Sequence, residues 1–332
     1  MSVPFQLDRY GNEARFSHFA DLLELEALQA MCRHSISKFD LADFIQDSGF
    51  VVSLKSLWSI PEDDSSIQVE ESDLNLTEAM PQAERVFSLI NERSIILGER
   101  YPFVIENTCV RLKSESPESV HFPYLQLLDL TLSHAYSSES FDGCNPRDKF
   151  EEVCLEAFRV LGYQVAGLMR QEGATNFQQR LAAAANQLKT VSLASDVVIT
   201  RARQQDAGVD LLAIHDFPAD TRAGRHMWIG QATCGKSDSW DRKRSEPKPK
   251  KWGLMTRNAL HPARALMVPQ HADPDHLKAL AEGEDFPVFD RLRLCCQATE
   301  DVREEKLIAV IRGFLRFEIE SWSESQSDRA RL

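Results

Sequence analysis

The sequence predicts an α/β protein in two parts, and three observations carry that expectation. Apolar residues recur at helical spacing through much of 12–135. Short apolar runs of strand length at 208–215, 227–233 and 264–268 alternate with helical patterns in the second half. Between the halves, Ser137-Ser138-Glu139-Ser140 is followed by Gly143, Asn145 and Pro146, the clearest turn-rich break in the chain. These place a mainly helical, acidic domain over 1–145 and a layered α/β domain over 146–332.

In the first part, Leu22, Leu23, Leu25, Leu28 and Met31, then Phe39, Leu41, Phe44 and Ile45, predict helix over 12–47. The stretch 50–58 reads as a strand, 61–75 as an acidic exposed loop, 80–97 as a helix and 101–112 as one strand. Leu125, Leu127, Leu128, Leu130 and Leu132 predict a buried helix over 123–135. In the second part, Phe150, Val153, Leu155, Ala157, Phe158 and Leu161 give a helix over 148–161 one apolar side, and Gly162 ends it. A helix over 176–188, a short strand over 196–200 and a helix over 274–281 complete the pattern with the three runs above. The stretch 291–297 reads as a last strand and 304–321 as a long helix.

With 332 residues and 43% hydrophobic content, the chain has enough apolar side chain for two cores. No run of eighteen apolar residues exists, so no transmembrane helix is expected. Met1-Ser2-Val3-Pro4-Phe5 opens no basic-then-apolar secretory signal. The seven cysteines include no C-x-x-C spacing, which argues against a zinc ribbon or a disulfide framework and for a reducing cytoplasm. Cys154 and the Cys295-Cys296 pair read as small core residues. The net charge is −13, yet 201–264 holds 13 Lys and Arg against 7 Asp and Glu. Such a basic window in an acidic protein suits local phosphate binding, or is a solvated lysine-rich loop.

Three segments carry the chemistry. The first is Phe150-Glu151-Glu152, opening a helix that closes on Leu161-Gly162-Tyr163. The second is Gly208-Val209-Asp210 on a strand. The third is Gly230-Gln231-Ala232-Thr233-Cys234-Gly235-Lys236 on and after the next strand. Phosphodiester hydrolysis needs a hard cation on oxygen ligands, carboxylates above all, and a positive group near the phosphate. Asp210, Gln231, Glu151 and Lys236 offer those types on neighbouring elements.

This arrangement resembles the PD-(D/E)xK nuclease superfamily, and within it the Mrr-like restriction-endonuclease branch, over roughly 148–320. The resemblance implies a restriction-endonuclease-like mixed central sheet flanked by helices. It implies a DNA-cutting enzyme in which Asp210 binds Mg²⁺ (Mn²⁺ as a substitute), Gln231 stands on the next strand and Glu151 assists from the helix. Glu152 is the fallback for the helix position. The family pattern puts lysine two residues after the glutamine, where this sequence has Thr233; the nearest lysine is Lys236. Gln231 and Thr233 share a strand face and Lys236 would point away, unless a bulge at Gly235 reverses the parity. Either the lysine has migrated to 236 or the domain is a catalytically impaired, DNA-binding or scaffolding subunit.

The resemblance further implies a role in bacterial anti-phage or restriction defence, a partner-binding, specificity or regulatory role for 1–145, and a possible homodimer. No membrane association is expected. Arg242, Lys243, Arg244, Lys248, Lys250 and Lys251, with Lys236, are the candidate DNA contacts, beside Trp240 and Trp252, which either stack near DNA or tuck into the core. Gly230-Ser237 also matches G-x-x-x-x-G-K-[ST] literally, so a P-loop nucleotide site is the alternative from a different class. His261 and His271, in loops near prolines, read as surface residues rather than ligands.

Overall fold

A computed structural model of the chain describes residues 15–30, 37–47, 71–114, 117–136, 145–168, 176–188, 208–215, 224–235, 237–256, 260–272, 274–281 and 287–297. The described residues fall into two compact units, one up to His121 and the other from Phe122 onward. The expected strands over 50–58 and 196–200 and the helix over 304–321 lie outside the described residues, as does Lys236.

The first unit holds α1 (Arg15–Ala30), α2 (Lys38–Asp47) and α3 (Glu71–Leu97), followed by β1 (Phe103–Glu106) and β2 (Cys109–Leu112). Helix α3 begins within the stretch read as an acidic loop. Where one strand was expected over 101–112, the chain forms an antiparallel hairpin with Glu106 opposite Cys109. Asn107 and Thr108 make its two-residue turn with φ of 50° and 67°, the left-handed pair whose twist suits adjoining strands. Threonine is a poor signal for such a turn, which is why the sequence reads as one strand. Beneath α1 and α3, the fully buried Arg93 reaches Asp21 at 2.9 Å and Glu24 at 2.6 Å. Tyr101 donates its hydroxyl to the same Glu24 oxygen at 2.5 Å.

The second unit contains α4 (Phe122–Tyr136), α5 (Pro146–Val160), β3 (Tyr163–Gly167), α6 (Phe177–Leu188), β4 (Leu211–His215) and β5 (Met227–Ala232). Two short helices, α7 (Trp240–Ser245) and α8 (Pro249–Met255), lead to β6 (Ala263–Met267), α9 (Pro274–Ala281), β7 (Val288–Phe289) and α10 (Arg291–Gln297). The strands form one five-stranded sheet in the order β3-β4-β5-β6-β7. The first three are antiparallel, and β5, β6 and β7 are parallel. The α/β class is as the sequence predicts. Leu211, Leu212, Ala213 and Ile214 are all buried, so β4 reads as a continuous apolar run rather than an alternating one, as a strand covered on both faces does.

Helices α6 and α8 cover one face: Phe177, Leu181, Ala184 and Trp252 pack with Leu212 and Ile229 in one core. Strand β3 was not foreseen. It follows Gly162, whose φ of 85° turns the chain back after α5. The expected last strand over 291–297 is instead helix α10. Asp290 starts it, its Oδ1 accepting from Arg293 N at 3.1 Å, and the last strand is instead the short Val288–Phe289, which pairs with β6.

The boundary also differs from the turn-rich break near 145: α4 belongs to the second unit. Buried Arg291 explains this. It donates to Thr131 Oγ1 of α4 at 2.9 Å and to Pro269 O at 2.9 Å, and Thr131 Oγ1 itself donates to Pro269 O at 3.0 Å. No helix among the described residues is long and apolar enough to cross a membrane.

Candidate active site

Asp210 lies one residue before β4, where the backbone is tied to both neighbours. Its N–H donates to Gly230 O at 2.8 Å, and Leu168 N donates to its carbonyl at 2.6 Å. Its side chain is 1% exposed. Oδ2 accepts from Gln231 Nε2 at 2.7 Å and from Ala232 N at 2.7 Å. The carboxylate is therefore aimed by β5 before any ligand arrives, because two N–H groups fix its rotamer. The Gln231 side chain is in turn oriented by its bond to Asp210. Its Oε1, on a residue 3% exposed, has no hydrogen-bond partner among the described residues.

Glu151 comes from the second turn of α5 and is 7% exposed, whereas its fallback Glu152 faces solvent. A Cβ on Gly167 would lie 2.4 Å from Glu151 Oε1. The glutamate carboxylate thus rests on the bare backbone of β3, where Gly167 is paired with Leu211, the residue after Asp210. Glycine at 167 is what lets the helix carboxylate reach the sheet. Glu151, Asp210 and Gln231, drawn from three separate segments, are brought together at this end of β3, β4 and β5.

Two buried cysteines border the pair. Burial pushes the Cys154 thiol well up, and the charges of Cys234, Asp210 and Glu151 add to the rise. Burial pushes Cys234 up to about 12, with the Arg147 guanidinium opposing and Asp210 adding. Both therefore stay protonated thiols near neutral pH and are poor metal ligands. Cys154 is the core residue its sequence context implies, as is Cys295, while Cys296 is exposed.

Thr233 closes the strand rather than extending it. Strand β5 ends at Ala232, and Thr233 Oγ1 accepts from Gly235 N at 3.1 Å in a tight turn. Gly235 lies beyond the end of β5, so it is no place for a bulge that could reverse the strand's parity. The glycine there serves close approach, since a Cβ would meet Ser239 Oγ at 2.9 Å.

The same geometry engages several of the donors a P-loop would use. Gly230 is inside β5, paired with Leu211 and Ala265. The N–H groups of Ala232, Thr233 and Gly235 donate to Asp210 Oδ2, Met267 O and Thr233 Oγ1. Donors used within the fold do not turn to a phosphate chain.

The basic segment is less open than its composition implies. Lys243 pairs with Glu246 at 3.1 Å and Arg242 with the same carboxylate at 3.8 Å. Arg244 pairs with Asp241 at 2.8 Å and donates to Leu280 O. Lys251 is half-buried, while Lys248 and Lys250 are exposed. Trp240 and Trp252 are both buried: Trp240 stacks on His276 at 5.1 Å and Trp252 meets Phe177 edge-on. They are core residues and offer no stacking face to a nucleic acid. His261 is exposed as expected; His271 is buried, contrary to expectation.

Among the described residues, no group of three or more His, Cys, Asp and Glu side chains is arranged to hold a metal. The oxygen-bearing side chains at this end of the sheet are the buried Glu151, Asp210 and Gln231. Sequence reading missed Gly167, for want of β3, and Arg147, whose only signal is its place four residues before Glu151. No family model, curated protein or solved structure matches the chain, so the likeness to PD-(D/E)xK nucleases rests on its own residues.

Proposed function

We propose that the second unit is a restriction-endonuclease-like domain that hydrolyses DNA phosphodiester bonds with a divalent cation, Mg²⁺ or Mn²⁺. The observation that carries this reading is the buried Asp210 carboxylate held by the Gln231 amide and Ala232 N–H, with the buried Glu151 carboxylate against Gly167, the strand partner of Leu211 next to Asp210. The donor set fits a hard cation. It is all oxygen, the bordering thiols remain protonated, and Gln231 Oε1 is a buried acceptor with no hydrogen-bond partner among the described residues. Mg²⁺ commonly takes one or two carboxylates and fills its other positions with water and substrate phosphate. When bound, such a cation supplies Lewis-acid polarisation of the phosphate and a more acidic water. Asp210 and Glu151 would hold it, while Gln231 and Ala232 N keep Asp210 in position.

The test incubates the full chain with plasmid, linear duplex and single-stranded DNA in Mg²⁺, Mn²⁺ or EDTA, alongside Asp210→Asn and Glu151→Gln. Metal-dependent cutting that falls by at least about 100-fold in both variants is the expected result. Cutting that survives EDTA or Asp210→Asn overturns the reading.

One observation favours a second reading, a nuclease-like subunit that binds DNA without cutting it. Thr233 takes the family's lysine position, and its hydroxyl is turned onto Gly235 N. Salt-sensitive DNA binding with no cleavage in any metal would select it. The defence role, and partner binding through 1–145, extend either reading from the family resemblance alone.

A further inference from the structure

We propose that Arg147 is the phosphate-binding cation of this site, supplying from helix α5 the positive charge that β5 lacks at Thr233. The nature of the anion rests on the phosphodiesterase reading above. The argument begins with the helix. Arg147, Glu151, Cys154 and Phe158 follow one another at spacings of four, three and four, a single stripe of α5. Glu151, Cys154 and Phe158 are all buried, so this stripe faces the sheet. Arg147 is its exposed outer end, one turn beyond the glutamate. The start of the helix is held in place: Asn145 accepts from Arg147 N at 3.0 Å and Pro146 occupies the first turn.

The charge of the Arg147 guanidinium is felt at Cys234, the residue directly after Thr233. The cation is therefore one helical turn from Glu151 and close enough to the end of β5 to act on Cys234. Among the described residues no carboxylate pairs with Arg147, in contrast to Arg242, Lys243 and Arg244, whose charges are engaged by Glu246 and Asp241. A guanidinium also suits the task, since it grips two phosphate oxygens at once and stays charged at every working pH.

The test measures binding rather than turnover. A labelled DNA duplex is titrated with the full chain in EDTA over a salt series, for wild type, Arg147→Ala, Arg147→Lys and Asp210→Asn. Arg147→Ala should weaken binding roughly 5- to 10-fold and lower the log–log salt slope by about one. Arg147→Lys should recover the slope but only part of the affinity, because lysine lacks the two-pronged grip. Asp210→Asn should bind at least as well as wild type. Arg147→Ala binding within about twofold of wild type, at unchanged slope, overturns this proposal and leaves the metal-dependent cutting reading intact. Absence of both DNA binding and Mg²⁺-dependent cutting in wild type overturns the two together.

Discussion

Each unit buries acidic side chains, and the two do so in different ways. In the first, the guanidinium of Arg93 lies within 3 Å of Asp21 and Glu24, and Tyr101 and Ser17 complete the hydrogen bonds. Every charge there has an opposite charge of the same unit, with no exposure. In the second, Asp210 is steadied through one oxygen by an amide and a backbone N–H, and Glu151 rests on a glycine. Arg147, one helical turn before Glu151, is exposed to solvent. The first arrangement is a structural joint between helices. The second holds its carboxylates by an amide, a backbone N–H and the clearance over a glycine.

That contrast can be broken by substitution. The largest effect is expected at Arg93. Arg93→Met leaves two buried carboxylates without their cation and should cost about 3–5 kcal/mol in urea unfolding. A loss under about 1 kcal/mol would mean that the cluster is no joint. Next is Gly167→Ala, whose methyl carbon cannot share space with Glu151 Oε1. Displacing that carboxylate should cost about 1–3 kcal/mol and reduce cutting. Most of the stability cost should vanish in a Glu151→Ala background, where the clash is gone. A cost unchanged by the second substitution would show that Glu151 does not rest on residue 167.

Asp210→Asn should abolish cutting while leaving stability within about 1 kcal/mol of wild type, or above it, as is common where a site is shaped for function. Severe unfolding would instead place Asp210 with the structural charges of the first unit. The smallest effect concerns His121, buried at the end of the first unit and lowered in pKa from 6.5 chiefly by desolvation. The folded state resists its protonation, so the unfolded chain binds more protons just below pH 6.5. Stability is full above that pH and falls as the pH drops through the lowered value. Unfolding of His121→Gln between about pH 7.5 and 5 should lose this slope. An identical slope in the variant would assign the pH dependence elsewhere.

The legible parts of the molecule are those where one residue type speaks for one local rule. Leucines at helical spacing marked α4, and Phe150 through Leu161 marked α5 with Gly162 as its stop. The strand bearing Asp210 and the strand bearing Gln231 were visible as apolar runs, and they do pair as neighbours. Strand β3 was not visible, because five residues between a glycine turn and the next helix carry little pattern. Arg291–Gln297 reads as a strand by composition, and only the Asp290 cap and the packing of Arg291 make it helical. The tryptophans of the basic segment were ambiguous for the same reason: burial is decided by what folds over them.

By itself the sequence determined the α/β class and the order of the main helices and strands, since periodicity is a local property, while the roles expected of Glu151, Asp210 and Gln231 came with the family resemblance. Tertiary structure alone decided that Glu151 rather than Glu152 meets the sheet, that Gly167 makes room for it and that α4 belongs to the second unit. It also showed that the Thr233 hydroxyl closes a turn onto Gly235 N. Those outcomes depend on which segments, far apart along the chain, share one edge of the sheet, and no local pattern encodes that.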